Sequence, residues 1–190
     1  MRLLITGTSG GIGAAVKAAA IARGFDVCEW NRAEFESEKP IAERCPKGTV
    51  DAIVFCSGTC PVKPMALTSD ELFADTIRVN CGLFLGVMRE LVAEKLYNPV
   101  GMKAIAVSSV SASEGWPGGS AYCASKGALS ALCRAMDAEL KAKKISVKAI
   151  EPKYVKTKMF DQCAGRMGVP ESAAIKPEQL ADEILNEVIK

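Results

Sequence analysis

The sequence predicts an α/β fold: a doubly wound parallel sheet of about six strands, with helices on both faces in three αβα layers. Three observations predict it. Short apolar runs alternate with longer helical patterns along the whole chain, as repeated βα units require. The run from Val50 to Ser57 is apolar nearly throughout, as in a strand covered on both faces. The first run, Leu3-Leu4-Ile5, breaks at Gly7 into Gly7-xxx-Gly11-x-Gly13, which opens an Ala-rich helix from Ala14 to Arg23.

After that helix, Phe25 to Trp30 reads as the second strand. Ala33 to Glu38 reads as a short third strand, reached with no room for an intervening helix, and Ile41 to Arg44 as a helical turn or two. Val50 to Ser57 follows. Residues 68–97 read as one long helix: Thr68, Ser69, Asp70 and Glu71 supply capping groups, and Leu72, Ile77, Leu83, Leu85, Val87, Met88 and Leu91 supply apolar surface. Met102 to Ser108 is another strand, Ser120 to Lys141 a second long helix, and Ile145 to Ile150 a further strand that Pro152 ends. Gly165 to Pro177 reads as a loop, and Pro177-Glu178 starts a terminal amphipathic helix to about Lys190. No repeat or linker interrupts this order, so residues 1–190 read as one domain.

A chain of 190 residues can bury one well-filled core, and 49% hydrophobic with 24% charged residues is ordinary for a soluble protein. A formal net charge of +2 gives no argument for nucleic acid or an anionic membrane as partner. No apolar run approaches the ~18 residues of a membrane span, and the first residues enter a strand rather than a secretory signal. The expected place of action is the cytoplasm. The eight cysteines contain no CxxC pair, and the chain has no histidine, which excludes histidine-containing zinc sites. Most of them fall in apolar elements, where cysteine acts as a small hydrophobe, so no metal and reduced thiols are expected. Cys56 and Cys60 are the one pair whose spacing merits a test.

The chemistry begins at the glycine turn. Gly7, Gly11 and Gly13 let backbone approach a pyrophosphate, and the open N–H groups of the helix start, with its dipole, attract the charge. Ser9 and Gly10 complete the turn, with no second cation beside them. After the second strand an acidic side chain would bind a ribose 2′-hydroxyl and repel a 2′-phosphate. Asn31-Arg32 stands there instead, and a guanidinium can hold a phosphate bidentately and stack on adenine. That favours NADP(H) over NAD(H); the alternative is a solvated Arg32 beside Glu34 and Glu36. In Tyr122-Cys-Ala-Ser-Lys126 the phenol and the amine lie one helical turn apart on one face. A free tyrosine ionises near ~10, and a neighbouring ammonium is expected to bring that down into the range of a general acid/base. Ser108-Ser109 ends the strand before it, where a hydroxyl can donate to a substrate carbonyl as charge grows on its oxygen.

These motifs, in order and in register over nearly the whole chain, resemble the short-chain dehydrogenase/reductase family with its Rossmann-like fold. Thr6-Gly-Thr-Ser-Gly-Gly-Ile12-Gly13 resembles the family's coenzyme motif, and Ser109, Tyr122 and Lys126 match its catalytic serine and YxxxK. Asn80 in Ile77-Arg-Val-Asn80 matches the asparagine completing the tetrad. Glu151-Pro152-Lys153-Tyr154-Val155-Lys156-Thr157 resembles the segment that closes over nicotinamide. The resemblance implies hydride transfer between nicotinamide and a carbonyl or alcohol carbon. Tyr122 would exchange the proton and Lys126 would bind the nicotinamide ribose. Ser109 would orient the carbonyl oxygen, and Asn80 would hold a water.

The chain also departs from the family pattern. Phe55-Cys56-Ser57-Gly58 replaces an Asn-Asn-Ala-Gly, so Ser57 and Gly58 are the residues left to meet the coenzyme. Lys153 replaces the glycine after Pro152, and Glu36 is the candidate for the acidic residue beside adenine. No counterpart of the last strand of longer members follows Lys190, hence the expectation of six strands rather than seven. By the same resemblance a homodimer is expected through helices 68–97 and 120–141. Met159 to Ile175 should cover the substrate, with Arg166 or Lys158 available to an anionic one. Two other readings stay open: a coenzyme-binding sensor without turnover, prompted by Cys56-Ser57 and Lys153, and an isomerase using bound NAD transiently.

Overall fold

Alternation along each strand sets the layers. The computed structural model describes residues 1–37, 43 and 49–190. Within them β1 (Arg2–Thr6), β2 (Asp26–Trp30), β3 (Ala52–Phe55), β4 (Met102–Val107) and β5 (Ile145–Ile150) form a parallel sheet in the order β2-β1-β3-β4-β5. Leu4, Ile53, Phe55, Met102, Ala104 and Val147 point to one face. There they pack against α4 (Leu83–Ala93) and α5 (Ser120–Leu140) through Phe84, Met88, Leu91, Leu129 and Met136. The intervening residues Leu3, Ile5, Ala52, Val54, Ile105 and Val107 point to the other. They meet Val16 and Ala20 of α1 (Gly11–Ala22) and Leu180, Ile184 and Leu185 of α7 (Pro177–Val188). Both faces of the central strands are covered, and that is why β3 reads as apolar throughout and β1 nearly so.

The order matters for function. From β1 the chain steps outward to β2, then crosses back over β1 to β3. The direction of winding therefore reverses between β1 and β3, and a crevice opens at their carboxyl ends. The Thr6 hydroxyl sets its width by accepting the backbone N–H groups of Cys56 and Ser57, both at 3.1 Å.

Three expectations are corrected. Ala33–Ser37 is not a strand, because α2 (Arg32–Glu36) occupies most of it, and Glu38 lies outside the described residues; the described sheet has five strands, close to the six expected. The Asn31 N–H donates to the Glu34 carboxylate at 2.7 Å, half of a capping box, and Phe35 turns edge-on to Trp30 and Phe55. The helical turn expected at Ile41–Arg44 lies, Glu43 apart, outside the described residues. The long helix 68–97 is divided into α3 (Asp70–Ile77) and α4, joined by a π-helical turn, Arg78–Gly82. The loop expected from Gly165 begins later, because α6 (Lys158–Met167) runs on to a left-handed cap at Gly168. Thr157 starts that helix by accepting the Phe160 N–H at 3.2 Å.

Among the described glycines the closest approach lies at the joint between β1 and α1. A β-carbon on Gly13 would lie 2.1 Å from the Gly7 carbonyl oxygen, whereas one on Gly165, exposed in α6, would meet nothing. Gly13→Ala is therefore expected to lower stability by about 2–3 kcal/mol, and Gly165→Ala to change it by less than about 1 kcal/mol in the stabilising direction. Urea unfolding midpoints of the two variants check this.

Candidate active site

The crevice collects side chains from every carboxyl-terminal loop. At its floor Gly7 turns with φ +69°, and a β-carbon there would strike the Ser57 backbone at 2.9 Å. Ser9, Gly10 and Gly11 are exposed at the start of α1. Gly10 caps the helix with no side-chain bond, and no acidic residue stands in its first turn. Those N–H groups and the helix dipole face the crevice with nothing of the protein's own to neutralise them, so the residues fit a diphosphate. Thr157 comes down on this turn from the far side, its methyl group 3.3 Å from where a Gly11 β-carbon would be.

Beyond β2, Asn31 donates to the Thr8 hydroxyl at 3.0 Å, and Thr8 donates in turn to Glu29 at 2.6 Å. Glu29 also pairs with Lys17 at 2.7 Å, and these bonds, Lys17 first, hold its carboxyl below the usual range. This carboxylate lies beside the glycine turn and is already committed to the protein. Sequence reasoning passed over it because it lies inside β2 rather than after it. Arg32 reaches into solvent, its side chain 89% exposed and only 4.0 Å from Glu36.

At the other end of the crevice, Ser108 and Ser109 part company. Ser108 donates to the Lys126 carbonyl at 3.1 Å and shares a 2.8 Å bond with Ser130, tying β4 to α5. Ser109 borders the same cavity as Tyr122, and its hydroxyl favours the ionised form of that phenol, while its Oγ accepts the Ser111 N–H at 3.1 Å. Ser109, Tyr122, Ile12, Pro152, Val155 and Thr157 line one cavity of about 90 Å³. Lys126 lies beneath, 5% exposed, its Nζ donating to the Val107 carbonyl at 2.8 Å and standing 5.7 Å from the Tyr122 ring centre. Gly58 passes beside Lys126 and Asn80. A larger open depression of about 530 Å³ lies at the opposite end of the sheet, where the strands begin, and holds none of these residues.

With this geometry in view, the chain can be set beside known proteins. The family model for short chain dehydrogenase matches residues 39–166. The chain belongs to the short-chain dehydrogenase family. The 3-oxoacyl-acyl-carrier-protein reductase FabG of Aggregatibacter actinomycetemcomitans is 25% identical over 212 residues, 90% of this chain and 88% of the relative. The L-xylulose reductase of Homo sapiens is 27% identical over 179 residues, 83% of this chain and 73% of the relative. Among solved structures, 4-hydroxyisoleucine dehydrogenase complexed with NADH matches 100% of this chain and 90% of its own with a TM-score of 0.84 at 19% identity. An actinorhodin polyketide ketoreductase with NADPH matches 98% and 89% with a TM-score of 0.81 at 18% identity. At such identities the structures establish the fold. The family establishes an oxidoreductase of CH–OH and C=O groups.

Within this short-chain dehydrogenase, Asn80 sits in the middle of the π turn and is wholly buried. Such widened turns are frequent at functional sites. Its Oδ1 accepts the Thr59 N–H at 2.7 Å; its Nδ2 donates to the Thr59 carbonyl and to Ser125 Oγ, both at 2.8 Å. Both amide protons are thus committed, and a water could use only the remaining lone pair of Oδ1. Ser125 passes the link on by donating to the Tyr122 carbonyl at 2.7 Å. It is a positioning residue visible inside the YxxxK spacing, yet overlooked there. Trp116, also overlooked, closes the cavity beside Tyr122 with its Nε1 on Ser111 Oγ at 3.2 Å. Lys153 borders the cavity and is exposed.

The expected action of Lys126 on Tyr122 is corrected. Burial pushes the Tyr122 hydroxyl above its ordinary range, and the opposing pull comes from the Ser109 hydroxyl; the Lys126 amine stands 5.7 Å from the ring centre. Burial brings Lys126 itself down to about 8. Ser109→Ala removes that pull, so Tyr122 is expected to ionise at still higher pH. Ultraviolet titration of tyrosinate, read against Tyr122→Phe, checks the direction.

Proposed function

We propose that the protein is an NADP(H)-dependent oxidoreductase that interconverts a small carbonyl compound and its alcohol, with Tyr122 as general acid/base. The observation that carries this reading is the pair of hydroxyl residues, Ser109 and Tyr122, lining one cavity above the buried amine of Lys126. The bound nicotinamide coenzyme would supply or accept the hydride. Gly7, Ser9, Gly11, Ile12 and Gly13 would hold its diphosphate end, Asn31 and Arg32 its adenosine phosphate, and Ser57, Gly58, Lys126, Pro152, Val155 and Thr157 its nicotinamide end.

The remaining work falls to the chain's own side chains. Ser109 donates to the carbonyl oxygen and fixes its position. Tyr122 gives that oxygen its proton as negative charge grows, and takes it back in the oxidative direction. An amine that releases its proton at about 8 can exchange one near neutral pH, which supports Lys126 as the source from which Tyr122 is recharged. Asn80 holds the Thr59 loop and, through Ser125, the helix bearing Tyr122. A cavity of about 90 Å³, lined by Trp116, Met159, Phe160 and Met167, supports a small and largely apolar substrate.

NADP(H) rather than NAD(H) is supported by Arg32, whose side chain is 89% exposed and held only by the 4.0 Å pair with Glu36, while Glu29 is paired with Lys17. A homodimer through residues 68–97 and 120–141 is supported by Phe73 and Leu85, which α3 and α4 leave 42% and 45% exposed; light scattering at twice the chain mass checks it. The cytoplasm is the compartment this reading assumes.

Steady-state assays on a panel of ketones and aldehydes test the proposal. Tyr122→Phe should retain NADPH binding by fluorescence titration and lose about 10²–10⁴-fold in turnover. Arg32→Ala should weaken NADPH about tenfold, equal to about 1.4 kcal/mol, and leave NADH unchanged. Coenzyme binding with no turnover by the wild type on any carbonyl would return the protein to the sensor reading.

A further inference from the structure

The proposed chemistry makes no use of two thiols that line the same cavity. Cys60 stands in the loop after β3 and Cys163 on α6, so they border the cavity from two separate segments. Cys163 is 5% exposed and its Sγ donates to the Met159 carbonyl at 2.8 Å. The two thiols act on each other directly. Each is the largest influence on the other's ionisation, which draws Cys163 below the ordinary thiol range and pushes Cys60 above it. Cys123, the third thiol nearby, is engaged instead by the Trp116 backbone and the Ser111 hydroxyl. Cys56, which the sequence pairs with Cys60 by spacing, is not the partner that the fold brings to it. One thiol disposed to ionise beside another that keeps its proton is the arrangement of an attacking and a resolving cysteine.

We propose that Cys60 and Cys163 are a dithiol modification site at the mouth of the cavity, which a hydroperoxide oxidises to a disulfide tying α6 to the loop after β3. The Cys163 thiolate attacks the peroxide: an S–O bond forms, the O–O bond breaks, and hydroxide leaves and is protonated to water. The Cys60 sulfur then attacks the sulfenic acid: the S–S bond forms, the S–O bond breaks, and a second water leaves with the Cys60 proton. The two sulfurs together lose two electrons, and the peroxide is reduced to water. The bond would join the helix that carries Met159, Phe160 and Met167 over the cavity to the loop that carries Ser57 and Gly58. The cavity in front of Tyr122 would then be held shut until a thiol reductant releases it. This inference goes beyond hydride transfer and stands or falls on the thiols alone.

The full-length reduced protein is treated with stepped hydrogen peroxide, digested without reductant and mapped by mass spectrometry. The expected result is a peptide pair joined at Cys60 and Cys163, lighter by two hydrogens, forming before any other modification and reversed by dithiothreitol. Cys163→Ser should abolish it and Cys123→Ser should leave it in place. A second measurement needs no variant: arsenite, which bridges paired thiols, should protect Cys60 and Cys163 together from alkylation. Cys60 joined to Cys56 or Cys123, Cys163 passing to sulfinic acid while Cys60 stays alkylatable, or no arsenite protection would each overturn the proposal.

Discussion

A β-carbon at Gly13 would overlap the carbonyl oxygen of Gly7, so α1 begins where it does only because two glycines face each other at the end of β1. That close approach aims the open N–H groups of α1 into the crevice. The Thr6 hydroxyl, taking two N–H groups from the end of β3, holds the opposite wall in register. The glycine turn and the wall of the crevice that faces it are thus positioned from one junction. A slackened β1–α1 joint would move the glycine turn away from Thr157 and the segment that closes over it.

The catalytic end is built at some expense in stability. Lys126 is buried with one carbonyl as its hydrogen-bond partner, and burial brings it down to about 8 from an ordinary 10.5. Between those values the unfolded chain keeps a proton that the folded chain releases, so the burden this buried amine places on folding is full below about 8 and is relieved progressively as pH rises toward 10.5. A purely structural lysine would gain nothing from such a position. Tyr122, pushed the other way by its burial, depends on the Ser109 hydroxyl for the pull that favours its ionised form. The two functional hydroxyls are therefore coupled before any substrate arrives. Ser125 and Asn80 transmit the geometry of the π turn to the same tyrosine.

What could be read from the sequence follows from which signals are local. Strands covered on both faces announce themselves as apolar runs, as β1, β3 and β4 do, whereas β2 and β5 at the edges of the sheet mix apolar with polar residues. The glycine spacing, the tyrosine one turn from a lysine and the serine ending a strand are likewise written in neighbouring residues. Ala33–Ser37 was misread because it was weighed as a short run between loops, although Asn31 and Glu34 carried the start of a helix. The break in the long helix at Arg78–Gly82 has no compositional mark, and it depends on Asn80 finding Thr59 and Ser125 across the fold. Which of Ser108 and Ser109 acts on the tyrosine, and where the Lys126 amine stands against its ring, are facts of packing. So is the meeting of Cys60 with a thiol 103 positions away along the chain.

The account's central claim is that the crevice between β1 and β3 receives a nicotinamide coenzyme whose reactive end reaches Tyr122. A crystal structure of the protein with NADPH tests it most directly. The diphosphate is expected over the start of α1, and the nicotinamide between Thr157 and the Ser109–Tyr122 pair. Coenzyme bound at the opposite end of the sheet, or a saturated crystal with the crevice still empty, would contradict it.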